Sequence, residues 1–303
     1  MTPPDSGIPP VEPWSLPGAD GQAILGHTHR PSGGPSGGPP VGHLVICHGF
    51  KGYMDYGFMP RLADAAASWG LAAHRFNFSH AGVTRDFETF ARPDLFERDT
   101  WMRQVYDLSR VLVHISAYET PAPVVVFGHS RGGVTALLTV GSRQSRGQLP
   151  GTGKQFDVGG VVTAASPAEA SRLDEAQKRQ LRDDGRLPSP SGRTGQMLHV
   201  GRAWQDEIDA DPDAHDPVRA VAQLKCPTLL LHGDADETVP VSDLARFAEA
   251  NADAQTAVIA DGNHVFNAPN PLPPDAELPP QTAELFAHVE RFSRRVCGVT
   301  TDA

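Results

Sequence analysis

Val124-Val125-Val126-Phe127-Gly128-His129-Ser130-Arg131-Gly132 is the stretch on which the reading of this chain turns. Its apolar run, Val124 to Phe127, bounded by turn chemistry, reads as a strand buried on both faces. The residues that follow match G-x-S-x-G, and Val134 to Val140 continues as a helix. That strand–turn–helix context turns a short pattern into a nucleophile elbow. The residues two before and two after the serine must be small, because the turn is tight and a Cβ there collides with neighbouring backbone. Such a turn presents the Ser130 hydroxyl at the carboxyl end of the strand. It also aims the first N–H groups of the following helix at developing negative charge.

Outward from this element, short apolar runs recur at Leu44–Cys47, Leu71–Phe78, Gly159–Ala164, Thr228–His232 and Ala257–Ile259. Helical patterns separate them at Gly57–Ser68, Leu95–Ala117, Leu244–Glu249 and Thr282–Phe292. In Leu95–Ala117 the residues Trp101, Val105, Leu108, Val111, Leu112 and Ile115 recur at spacings of three and four, the period of a helix face. Strands alternating with helices imply an α/β fold, a mostly parallel central sheet with helices on both faces. Residues 43–303 are read as this domain. Residues 1–42 read as an edge unit, a β-hairpin of Trp14–Leu16 and Gln22–His29 turning at Asp20-Gly21, then a Pro/Gly-rich loop at Pro31–Pro40. The polar stretch of about 166–221 is too long for an ordinary strand–helix connection. With a helix candidate at Ala168–Asp183 and a breaker cluster at Leu187–Gly192, it reads as an insertion capping one end of the sheet.

The composition excludes several classes. The chain has 303 residues, 39% hydrophobic, and a net charge of −10. A basic footprint for nucleic acid is missing, and so is a polybasic membrane patch. No apolar run approaches the ~18 residues of a membrane helix, and Met1–Asp5 lacks the charged and apolar regions of a signal peptide. Cys47, Cys226 and Cys297 are too few and too scattered for a disulfide framework or a zinc set. A reducing, cytoplasmic compartment is expected. A homo-oligomer is compatible with all of this.

A serine nucleophile needs a base that is itself oriented by a carboxylate. On this kind of sheet they follow in the order Ser, Asp or Glu, His. The loop after Thr228–His232 offers Asp234 and Asp236, and the loop after Ala257–Ile259 offers His264. Both emerge at the end of the sheet where Ser130 stands, the end at which open α/β sheets bind ligands. An oxyanion hole needs two backbone N–H groups. Arg131, the residue after the nucleophile, supplies one, and the loop after Leu44–Cys47 the other.

With these motifs in place, the chain resembles the α/β-hydrolase superfamily from His43 to Phe292. His48-Gly49-Phe50-Lys51-Gly52 and Phe76-Asn77-Phe78-Ser79-His80 look like bacterial serine hydrolases similar to dienelactone-hydrolase-like and feruloyl- or cinnamoyl-esterase-like proteins. The resemblance implies Ser130 as nucleophile. Asp236, the fifth residue of H-G-x-x-D-x-x-V-P, becomes the acid in preference to Asp234, and His264 the base. It implies the Phe50 amide as second oxyanion donor, a small-molecule ester as substrate, an acyl-enzyme intermediate and no cofactor. Alternatives within this reading are a serine peptidase or amidase, or a catalytically silent fold that binds a ligand.

Neighbouring residues receive structural readings. His129 and His232 are expected to pack or hydrogen-bond, His48 to order the oxyanion loop, and Asp261 to make a turn. The Arg131 side chain reads as an ion pair with Glu97 or Asp99, with a substrate clamp as the alternative. His27 and His29 show no evident carboxylate or cysteine partner, so a metal site there is not expected. Phe50, Tyr53, Tyr56, Phe58 and Met59 form either a pocket wall or the packing of the next helix.

Overall fold

In the computed structural model, which describes residues 11–31, 39–146 and 158–299, the alternation of the sequence becomes one eight-stranded sheet. The elements in chain order are β1 (Val11–Pro17), β2 (Ala23–His29), β3 (Gly42–Cys47), α1 (Met59–Ser68), β4 (Leu71–Asn77), α2 (Pro93–Glu97), α3 (Trp101–Tyr118), β5 (Val124–His129), α4 (Arg131–Arg146) and β6 (Val158–Ala164). They continue with α5 (Glu175–Asp184), β7 (Arg186–Pro190), β8 (Met197–Gly201), α6 (Ala203–Ala210), α7 (Pro217–Ala222), β9 (Thr228–Gly233), α8 (Ser242–Ala250), β10 (Gln255–Ile259) and α9 (Pro280–Val296). The order across the sheet is β1-β2-β4-β3-β5-β6-β9-β10. The β1–β2 and β2–β4 pairs are antiparallel and all the other pairs parallel. Residues 32–38 of the Pro/Gly-rich loop lie outside the described residues.

Two-sided burial explains why the central strands are continuous apolar runs. Along β5, Val124 and Val126 face one core while Val125 and Phe127 face the other. The first core is closed by α3, α4, α7 and α8 through Leu108, Leu137, Val221 and Leu244. The second is closed by α1 and α9 through Leu62 and Leu285. Phe127 has no exposed surface, which is worth ~1.5–3 kcal/mol relative to leaving it in water.

The structure corrects three sequence expectations. The helix expected over Leu95–Ala117 is two helices, because Thr100 takes an extended backbone and caps α3 by accepting the Arg103 N–H. Periodicity alone carries across such a break. The helix expected at Ala168–Asp183 begins only at Glu175, where Asp174 and Gln177 form a reciprocal capping box. The breaker cluster at Leu187–Gly192 lies partly in a strand: β7 pairs antiparallel with β8 despite Pro188 and Pro190. A strand in a two-stranded ribbon tolerates proline because its outward side needs no donor.

The elbow itself rests on contact distances. A Cβ at Gly132 would stand 2.4 Å from the Cys47 carbonyl oxygen, and one at Gly128 2.3 Å from that of Gly132. Both neighbours are backbone and cannot swing aside. Gly132→Ala should therefore cost ~1–3 kcal/mol as overpacking. At roughly 2–4 °C per kcal/mol for a domain of this size, a thermal melt should fall by several degrees. An unchanged melting temperature would contradict the packing described.

Candidate active site

Ser130 follows the last residue of β5 with φ of 52°, in the left-handed region that costs a non-glycine residue ~1–3 kcal/mol. Its N–H donates to the Ala164 carbonyl at the end of β6 over 2.8 Å, which holds the turn against the sheet. The chain then enters α4 at once.

Three side chains from three loops form one hydrogen-bonded line. Ser130 Oγ lies 3.0 Å from His264 Nε2, and His264 Nδ1 lies 2.8 Å from Asp236 Oδ2. An ionised carboxylate only accepts, so Nδ1 carries the proton and the Ser130 hydroxyl donates to Nε2. Asp236 Oδ1 is held in turn by the N–H groups of Thr238 and Val239 at 2.8 and 2.9 Å. Burial pushes the Asp236 carboxyl upward, but hydrogen bonds from His232, His264 and the Val239 N–H outweigh it. The group is held well below the usual carboxylate range.

The rival aspartate does something else. Asp234 Oδ1 accepts the Asp261 N–H at 2.7 Å, bracing a turn in which Asp261 has φ of 57°. Asp261 is thus a turn residue, as its composition implies.

The flanking histidines hold loops together. His129 Nε2 donates to the His264 carbonyl at 2.7 Å, and burial lowers its pKa to about 3, so it remains a neutral donor. His232 Nε2 donates to the Val239 carbonyl at 2.9 Å and stands 3.4 Å from Asp236 Oδ2. His48 Nδ1 donates to the Gly49 carbonyl at 2.9 Å, while its Nε2 accepts the Phe78 N–H at 3.3 Å. Burial lowers His48 to about 4. It ties the loop that carries Phe50 to the end of β4. That loop abuts the nucleophile, since a Cβ at Gly49 would stand 3.1 Å from Ser130 Cβ.

The Arg131 side chain pairs with Asp99, Nη2 to Oδ2 at 3.1 Å, and lies over the Trp101 and Phe50 rings at 4.7 and 5.5 Å. The other carboxylate considered, Glu97, stands 3.6 Å from Arg186 instead. Burial raises Asp99 to about 6, against the opposing pull of Arg131 and a hydrogen bond from Gln104. Of the aromatic cluster after the oxyanion loop, Phe50 reaches the cavity beside Ser130. Phe58 and Met59 are buried in the second core, and Tyr53 stacks on Phe87 at 5.2 Å. His29, read as lacking a carboxylate, bonds Asp64 at 2.7 Å and accepts from Arg75 Nε at 2.7 Å. Among the described residues no group of three or more His, Cys, Asp or Glu could hold a metal ion, and no helix is long and apolar enough to cross a membrane.

Sequence reasoning missed the walls of the cavity, of about 420 Å³, that opens at Ser130. Trp101 lines it from α3, and Leu187, Val200 and Trp204 line it from residues of 166–221. No local motif marks them; the one available signal is a single tryptophan, Trp204, in an otherwise polar region.

The profile of the alpha/beta hydrolase family matches residues 44–275. No curated protein matches the sequence. Among solved structures, Est1E from Butyrivibrio proteoclasticus with ferulic acid bound is 14% identical with a TM-score of 0.72, over 94% of this chain and 99% of that one. The esterase domain of a Rhodothermus marinus protein is 17% identical with a TM-score of 0.62, over 94% and 98%. A puromycin-hydrolyzing peptidase of Mycobacterium tuberculosis is 18% identical with a TM-score of 0.65, over all of this chain and 42% of that one.

Proposed function

Because this chain belongs to the alpha/beta hydrolase family, we propose that it is a hydrolase that cleaves a carboxylic ester with Ser130 as nucleophile, through an acyl-enzyme. The observation that carries this reading is the line Ser130–His264–Asp236, with links of 3.0 and 2.8 Å. Ser130 Oγ attacks the acyl carbon as its proton passes to His264 Nε2. The backbone N–H groups of Phe50 and Arg131 receive the charge that develops on the carbonyl oxygen. Asp236 stabilises the imidazolium without taking the proton. Collapse of the tetrahedral intermediate expels the alcohol, which takes the proton from Nε2. A water deprotonated by His264 then attacks the acyl-enzyme; collapse breaks the bond to Ser130 Oγ, which takes the proton back from Nε2 as the carboxylic acid leaves. The partner required is a small-molecule ester, with neither nucleic acid nor membrane lipid. The sparse, scattered cysteines fit a cytoplasmic setting.

A fluorophosphonate probe, followed by p-nitrophenyl esters assayed beside aminoacyl-nitroanilides, tests this. Labelling at Ser130 with ester turnover supports it. A preference for the anilides would move the activity to a peptidase, and no labelling would leave a silent ligand-binding fold.

The pH profile is a further expected result. His264 must be neutral to accept the serine proton, so kcat/KM should rise with pH in one step and then level off. Asp236 adds no second step, because its lowered pKa keeps it ionised throughout that rise. The sign for stability follows from the same shift. A carboxyl lower in the folded than in the unfolded chain stabilises above the unfolded pKa, and that contribution disappears as pH falls through the folded pKa. His264→Gln should remove the kinetic step, while the remaining hydrogen bonds to Asp236, from His232 and the Val239 N–H, retain part of the acid dependence of stability. A wild-type profile flat across the acid limb would contradict an imidazole base.

A further inference from the structure

Resting on the serine-hydrolase reading, we propose that the substrate is an uncharged ester whose apolar acyl group fills the cavity beside Ser130, with residues of the 166–221 stretch setting its size. The argument starts from charge. Three charged side chains line the cavity, Arg131, Glu169 and Arg172. Each already has a counter-ion within the protein. Arg131 pairs with Asp99 at 3.1 Å, Glu169 with Arg246 at 2.8 Å, and Arg172 with Asp243. Arg172 also reaches the Thr238 carbonyl, and Arg131 is held between two rings. The remaining polar lining, Gln177, Gln180 and Ser189, carries no charge. A carboxylate or ammonium on the substrate would lose its water here and find no unpaired opposite charge, a cost that only pairing offsets.

The apolar lining states what the cavity accepts instead. Phe50 and Trp101 come from the main domain, and Leu173, Leu187, Val200 and Trp204 come from the 166–221 stretch. The volume of about 420 Å³ holds roughly a dozen non-hydrogen atoms if each takes the ~30 Å³ share of a water-sized group. Each CH₂ buried against such walls is worth ~4-fold in affinity. The acyl group is the part that stays attached to Ser130 through both chemical steps, so walls that hold it act on both.

The test is a p-nitrophenyl ester series from acetate to decanoate, with the p-nitrophenyl hemiester of glutaric acid as an anionic counterpart to the pentanoate. Fluorophosphonate labelling of Ser130 is run on the same preparation. Expected is a rise of at least ~10-fold in kcat/KM from acetate to a medium chain, and a hemiglutarate at least ~10-fold poorer than the pentanoate. Trp204→Ala should move the optimum to longer chains and Leu173→Trp to shorter ones, each variant checked for a native melt. A flat acyl series, a hemiglutarate equal to or better than the pentanoate, or an optimum unmoved in both folded variants would overturn the inference. If labelling succeeds in that event, the serine-hydrolase reading stands and only the pocket assignment fails. Absence of labelling in the wild type would instead remove the underlying reading.

Discussion

Ser130→Ala is expected to reduce ester kcat by at least ~10³-fold while leaving the melting temperature near that of wild type. The size follows from the mechanism: the variant has no atom to form the acyl-enzyme, and only the oxyanion donors and binding walls remain to speed direct attack by water. The unchanged fold follows from the geometry. Alanine has the same Cβ as serine, so the left-handed backbone at φ of 52° is no more strained than before. The lost hydroxyl leaves only His264 Nε2 without a donor, and that ring is partly exposed at 20% of its side chain, where water can replace it. Fluorophosphonate labelling should vanish with the activity. Turnover within tenfold of wild type in a folded variant would mean that another residue is the nucleophile.

Asp236→Asn should cost about 10⁴-fold in kcat, the scale of tautomer inversion in a serine triad. The hydrogen bonds around the group explain why. Its Oδ1 is already committed to two backbone donors, the Thr238 and Val239 N–H groups. An asparagine keeps its carbonyl oxygen there and turns its NH₂ toward His264 Nδ1. That nitrogen must then accept, the proton moves to Nε2, and the imidazole has no lone pair left for the Ser130 hydroxyl. Asp234→Asn is the control. Its Oδ1 accepts one N–H, from Asp261, and an asparagine oxygen can do the same. Its kcat should stay within a few-fold of wild type. Inverted ranking of the two variants would transfer the acid role to Asp234.

Much of the fold was legible because it is written in contiguous residues. The run Val124–Phe127 is buried on both faces, and apolar residues occupy both of its sides. Gly128 and Gly132 are small because each Cβ would strike backbone. The break at Arg98–Thr100 was not legible, since the apolar positions of α2 and α3 keep helical spacing across it and Thr100 caps through its own hydroxyl. The strand β7 was hidden for the opposite reason: prolines that mark a turn in most settings are tolerated on its outward side.

By itself the sequence determined the alternation of strands and helices, the elbow at Ser130 and the chain order serine, aspartate, histidine. Backbone periodicity and tight-turn sterics act between near neighbours, so a local pattern suffices to read them. The family pattern that the sequence resembles favoured Asp236 over Asp234, and the tertiary structure brings that carboxylate to His264, a residue 28 positions further on. Only the tertiary structure decided that Arg131 pairs with Asp99 rather than Glu97, that His129 holds the His264 carbonyl across 135 positions, and that Trp101 and Trp204 share a cavity. Those outcomes depend on where distant loops land once the sheet has formed. A hydrogen bond or an ion pair is lost within about an ångström of misplacement, so no spacing along the chain encodes it.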